Sequence, residues 1–177
     1  MPGAPARPWP VKVRAVDFSR LGRGDIVAAA GGLLLFISMF LPWFSVDPST
    51  PPDQTACGAG HESCTGFDTF SLFTALIIPG MDFLLVGAAI APLILVWIVI
   101  RGHTLSWPPG EVTMIVGAIA ATLILYNGII SRPGAREFVS LDIGWYVGLL
   151  GSLAIVGGGA ISQITRGGVT RKPPGTF

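Results

Sequence analysis

The chain alternates between long apolar runs and shorter polar stretches, with the runs at 26–44, 83–100, 112–130 and 143–164. No Asp, Glu, Lys, Arg or His falls inside any of them. A helix rises about 1.5 Å per residue, so each run is long enough to cross a hydrocarbon core of about 30 Å. The pattern predicts an all-α integral membrane protein, a four-helix bundle over residues 25–165. A disordered, basic segment is expected at 1–24 and a tail at 166–177. No small-residue cleavage site follows the first run, so it is expected to remain as an anchor.

An acid precedes each run: Asp25, Asp82, Glu111 and Asp142. A carboxylate at a helix start accepts orphan amide hydrogens and opposes the macrodipole, so these are read as caps. Among the few polar residues within the runs, Asn127 stands out as a candidate intramembrane polar site, with interhelical hydrogen bonding its expected task. Pro92 predicts a kink in the second helix. Small residues recur at helical spacing, as in Gly117 with Ala121 and Gly144 with Gly148. Such faces allow close backbone approach, either within the bundle or to a partner's helix, and Gly144 and Gly148 are candidate partner contacts.

The only long connection is 45–82. Leu41-Pro42-Trp43-Phe44 leads into it and reads as a helix reaching the membrane–water interface. The loop's first half is rich in Pro and Gly. Its second half spaces Phe67, Phe70 and Phe73 three residues apart. That spacing predicts a short helix over 66–78, lying on the membrane surface or capping the bundle. The three phenylalanines are candidate partner-binding residues, since exposed aromatic patches mark interfaces.

Composition supports the membrane reading: 51% of residues are hydrophobic and 12% charged, against about 25% charged in soluble domains. Charge sets the orientation. All Lys and Arg except Arg132 and Arg136 fall before the first run, between the second and third, or after the fourth. Positive flanks stay inside, so both termini are expected in the cytoplasm and the 45–82 loop outside the cell membrane. Most acids, including Asp47, Asp53, Glu62 and Asp68, fall on the outer side. The basic stretch at 11–24 also carries apolar residues that suit an anionic leaflet.

The two cysteines, Cys57 and Cys64, enclose GAGHES in the outer loop. An oxidising exterior favours a disulfide between them. The alternative is a metal or redox site of Cys57, His61 and Cys64, which needs thiolates and a fourth ligand such as Glu62 or Asp53. Catalytic signatures are missing: no nucleophile elbow, Gly-rich phosphate loop or His-Glu zinc motif is present. A disulfide oxidoreductase normally relays electrons through a Cys-x-x-Cys pair and further cysteines, and this spacing is wider.

Three short motifs carry a resemblance: Leu41-Pro42-Trp43-Phe44, Gly66-Phe67-Asp68-Thr69-Phe70 and Pro108-Pro109-Gly110. The chain resembles a loosely defined group of small four-span membrane proteins common in high-GC Gram-positive bacteria. The likeness covers roughly residues 25–165 and implies architecture without an activity. Trp43 followed by two loop cysteines also echoes the claudin-like tetraspans. The Gly-Leu-Trp expected before the first cysteine is replaced by Gln54-Thr55-Ala56, and the loop reads as helical or irregular rather than strand-rich. That echo is read as convergence.

The leading expectation is therefore a non-enzymatic accessory or structural subunit of a larger membrane complex. It would dock through its disulfide-closed outer loop and small-residue helix faces. The expected partners are the lipid bilayer and another membrane protein, with no cofactor and no nucleic acid. A lipid or small-molecule transporter or channel component is the second reading, and an outer-face metal or redox protein the third.

Overall fold

The computed structural model describes residues 21–48, 63–68, 81–101, 107–130, 132 and 138–167. Most of them are helical. Helix α1 is Arg23–Ser38 and α2 is Met81–Ile100. Helix α3 is Pro109–Leu125, extended by a π-helical turn at Tyr126–Ile130, and α4 is Ile143–Gly167. Three short strands join them: β1 Pro42–Val46, β2 Ser63–Thr65 and β3 Val139–Leu141. Helices α3 with its π turn (Pro109–Ile130) and α4 (Ile143–Thr165) are long and apolar enough to cross a membrane.

The expected caps are partly realised. Asp25 Oδ2 accepts the Gly22 amide at 2.9 Å, and Asp142 Oδ1 accepts the Ile143 amide at 2.6 Å. Helix α3 begins with Pro109, where a missing N–H costs nothing, and Glu111 sits in its first turn without a side-chain hydrogen bond among the described residues. The side chain of Asp82 lies outside the described residues.

Helix α4 runs antiparallel to both α1 and α3. Gly24 faces Gly158, Gly31 faces Gly151, and Gly110 faces Gly159. A methyl group built on any of these six would stand 2.5–2.9 Å from backbone atoms of the opposite helix. Backbone-to-backbone packing of this kind supplies dispersion where side chains cannot interdigitate. Helix α2 leans on α1, where Gly32 meets Ala89 and the ring of Pro92. Pro92 is buried inside α2, and the helix continues through it.

The sheet departs from the all-α expectation. Its order is β2-β1-β3, both pairs antiparallel. Phe44 stands opposite Cys64 and Leu141, and Ser45 opposite Ser63 and Ser140. The expected first span ran to Phe44; the helix instead stops at Ser38 and the chain becomes a strand at Pro42. Proline lacks the amide a helix needs and disfavours helical geometry in the residue before it. Trp43, Phe44 and Val46 are aromatic or β-branched and suit a pleated, half-buried surface. An irregularity between Pro42 and Phe44 lets the neighbours Trp43 and Phe44 both be buried. At 16 residues α1 is about 24 Å long, shorter than its apolar run.

Candidate functional site at the sheet-bearing end

The junction of sheet and bundle is built around Trp43, which is fully buried. Its indole Nε1 donates to the Ser38 carbonyl at 2.7 Å, occupying an acceptor freed where α1 ends. Its own carbonyl accepts the Asp142 amide at 2.9 Å, just before α4 begins. Three glycines make room for the ring: methyl groups on Gly66, Gly144 and Gly148 would come within 2.6–3.0 Å of its atoms. Trp43 is thus a core residue, not the interfacial anchor expected from its place after an apolar run.

Around it lie Leu35, Met39, Phe44, Cys64, Leu85, Val139 and Trp145, all buried in one cluster. Phe67 packs partly buried against that cluster, 5.1 Å edge-to-face from Phe40. Residues 66–68 are helical. They open with a reciprocal cap, Thr65 Oγ1 donating to Asp68 Oδ2 at 2.7 Å and the Asp68 amide to Thr65 Oγ1 at 3.3 Å. The start of the helix expected over 66–78 is present; residues 69–80 lie outside the described residues.

An open cleft of about 730 Å³ lies along the β1–β3 pair, lined by Ser45, Val46, Asp47, Pro48, Arg132, Phe138, Val139, Ser140, Leu141 and Tyr146. Ser45 and Ser140 hydroxyls meet across β1 and β3 at 2.7 Å. The Asp47 amide donates to the Phe138 carbonyl at 2.9 Å, extending the ladder by one rung. Arg132 Nε donates to the Gly128 carbonyl at 2.6 Å, a cation placed at the carbonyl end of α3. Among the described residues Arg132 has no carboxylate partner.

The π turn at the end of α3 has a local cause. Trp145 lies against Gly128, where a methyl group would overlap the indole, and its Nε1 donates to the Ile124 carbonyl at 3.0 Å. A side chain inserted at the helix ladder in this way goes with a widened turn. Asn127 sits in that turn, 3% exposed, and neither its Nδ2 nor its Oδ1 has a hydrogen-bond partner among the described residues. The interhelical bond expected of it is not found among those residues.

The other sequence candidates separate. Cys64 is fully buried on β2, and no cysteine among the described residues is free. Cys57, His61, Phe70 and Phe73 lie outside the described residues. The faces of Gly144 and Gly148 are occupied within the chain by Trp43, with Ser38 Oγ also 2.9 Å from a methyl built on Gly148. Sequence reading did not single out Ser45, Ser140, Arg132 and Tyr146 as a group. The available signal was the matching Phe-Ser-Val of 44–46 and Val-Ser-Leu of 139–141, two short strand-like stretches with serine at the centre.

No protein-family model, curated protein or solved structure matches the chain. The class that can be stated is a mostly helical protein with two helices able to cross a membrane, closed at one end by a three-stranded sheet.

Proposed function

We propose that the chain is a four-span protein of the cell membrane, with both termini in the cytoplasm and the sheet-bearing end outside. In this reading it is a non-enzymatic accessory subunit whose outer end is the recognition head for a larger membrane complex. The observation that carries the proposal is the division of its surface. All four helices turn large apolar side chains outward, among them Leu33, Ile94, Ile119 and Leu150, while the hydrogen-bonded polar cleft gathers at one end. Exposed apolar surface on this scale suits lipid, not water. At the opposite end Trp97 and Trp107 are exposed, and Arg101 stacks 4.5 Å over the Trp97 ring, an arrangement suited to the inner interface.

The lack of ionisable residues in the apolar runs speaks against ion-coupled transport. The outer end also includes, in this proposal, a Cys57–Cys64 disulfide: Cys64 is not free and Cys57 is the only other cysteine. Because Gly144 and Gly148 already hold Trp43, docking falls to the outer loop, where Phe70 and Phe73 are the proposed anchors. Membership of the small four-span group belongs to the same proposal and brings no activity with it.

The test is purification from native membranes in mild detergent. A stoichiometric protein partner is expected with wild type and is expected to be weakened by Phe70→Ala with Phe73→Ala at equal expression. Wild-type protein that emerges alone and monomeric contradicts the subunit reading.

A further inference from the structure

We infer that the outer cleft is a binding site for the phosphate of an anionic membrane lipid, held by Arg132 and the Ser45–Ser140 hydroxyl pair. The inference rests on the membrane reading above and adds a ligand to it. Arg132 spends Nε on the Gly128 carbonyl, which fixes the guanidinium at the end of α3. Its two Nη groups have no partner among the described residues. A guanidinium tethered on one side presents its remaining donors as a fork that matches phosphate oxygens.

The serine pair supplies a further donor. Each hydroxyl has one proton, and in the 2.7 Å contact only one of the two is used between them. The other is available to an anion in the cleft. Asp47 is the one carboxylate among the described lining residues, and that residue makes an interaction of its own.

The lining also says why the anion should carry chains. Tyr146 belongs to the cleft and begins an outward stripe on α4 that continues through Leu150 and Leu153, these three being 54%, 61% and 53% exposed. Spacings of four and three residues keep them on one helix face. Lower on α4, Gly157 has no atom near its missing side chain, leaving the surface there shallow. A headgroup in the cleft therefore has an unobstructed apolar track for its acyl chains, running along a helix that can cross the bilayer.

The experiment is native mass spectrometry of the full chain in mild detergent, with phosphatidylglycerol or phosphatidylcholine added and sn-glycerol 3-phosphate as soluble competitor. Wild type is expected to retain phosphatidylglycerol about tenfold or more over phosphatidylcholine, as suits hydrogen bonds to a charged group. Arg132→Gln should abolish the preference. Ser140→Ala, on an exposed strand position, should weaken it severalfold without touching the helix end. Millimolar glycerol phosphate should not displace the lipid. Displacement by it would mean a site for free phosphate and overturns the lipid assignment, as does an undiminished preference in both variants. Carbonate washing of membranes separates the two levels: wild-type protein washed out sinks the four-span reading. Inserted wild type that takes up both lipids equally overturns the site alone.

Discussion

The backbone-to-backbone packing of α1 on α4 makes two adjacent glycines behave oppositely. A methyl group on Gly158 would lie 2.5 Å from the Ala28 nitrogen and 2.6 Å from the Gly24 carbonyl oxygen, whereas ordinary contact begins near 3.4 Å. The neighbours are backbone and cannot swing aside, so the two helices must separate by most of an ångström. A gap of about 0.5–1 Å forfeits a quarter to a half of each contact along the seam. Overpacking of this kind costs about 1–3 kcal/mol, against which alanine regains about 1 kcal/mol of helix propensity over glycine. With rigid neighbours the upper part of that range applies, leaving Gly158→Ala destabilised by about 2 kcal/mol. At about 2–4 °C per kcal/mol for a chain of this size, Tm should fall by about 4–8 °C. Gly157 has nothing within 4 Å of its missing side chain, so Gly157→Ala keeps only the propensity gain. Its Tm should hold or rise by about 2–4 °C, by the same conversion. Both are read by intrinsic tryptophan fluorescence during a thermal ramp in one detergent, since Trp43 and Trp145 are buried reporters. Equal shifts for the two variants, or the larger loss at Gly157, would refute the helical phase on which the bundle rests.

Three other perturbations follow from the sheet-bearing end. Trp43→Phe removes one of the two donors to the Ser38 carbonyl, which keeps the Leu41 amide at 3.1 Å, so the cost of the lost hydrogen bond is about 0.5–1.5 kcal/mol; Trp107→Phe, at a 65% exposed position, should leave Tm unchanged on the same ramp. Asn127→Leu replaces an amide with no partner among the described residues by an apolar side chain of similar size. It should stabilise the isolated protein by about 1–3 kcal/mol, and a loss instead would show that the amide is paired in the purified protein. Mass spectrometry of unreduced peptides should find Cys57 joined to Cys64, and reduction should cost about 2–3 kcal/mol of stability; two alkylatable thiols in native protein would remove the disulfide from the proposal.

Much of the helical framework was legible because apolar runs and polar interruptions are strong, local signals. Helices α2, α3 and α4 fall within a few residues of the expected runs. The first run misled because a sequence of apolar residues does not distinguish a helix from a buried strand. Ile26 to Ser38 and Pro42 to Val46 belong to one run without a charged residue, and only Pro42 and the aromatic content of the second piece mark the change. Trp43 resembled an interfacial anchor since tryptophan after an apolar run usually is one; its burial depends on Gly66, Gly144 and Gly148 converging from two other segments. The pairing of Ser45 with Ser140 lies 95 residues apart in the chain and no local pattern encodes it.

The arrangement of ends in the membrane is tested most directly by thiol labelling in intact cells. Ser140→Cys places a thiol on the exposed face of β3, and Trp107→Cys places one at the exposed start of α3, at the other end of the bundle. The unsubstituted protein, labelled in parallel, serves as the blank. A membrane-impermeant maleimide should label Ser140→Cys in intact cells and Trp107→Cys only after permeabilisation. Labelling of Trp107→Cys in intact cells, with Ser140→Cys protected, would invert the protein in the membrane and contradict the assignment of the sheet-bearing end to the outside.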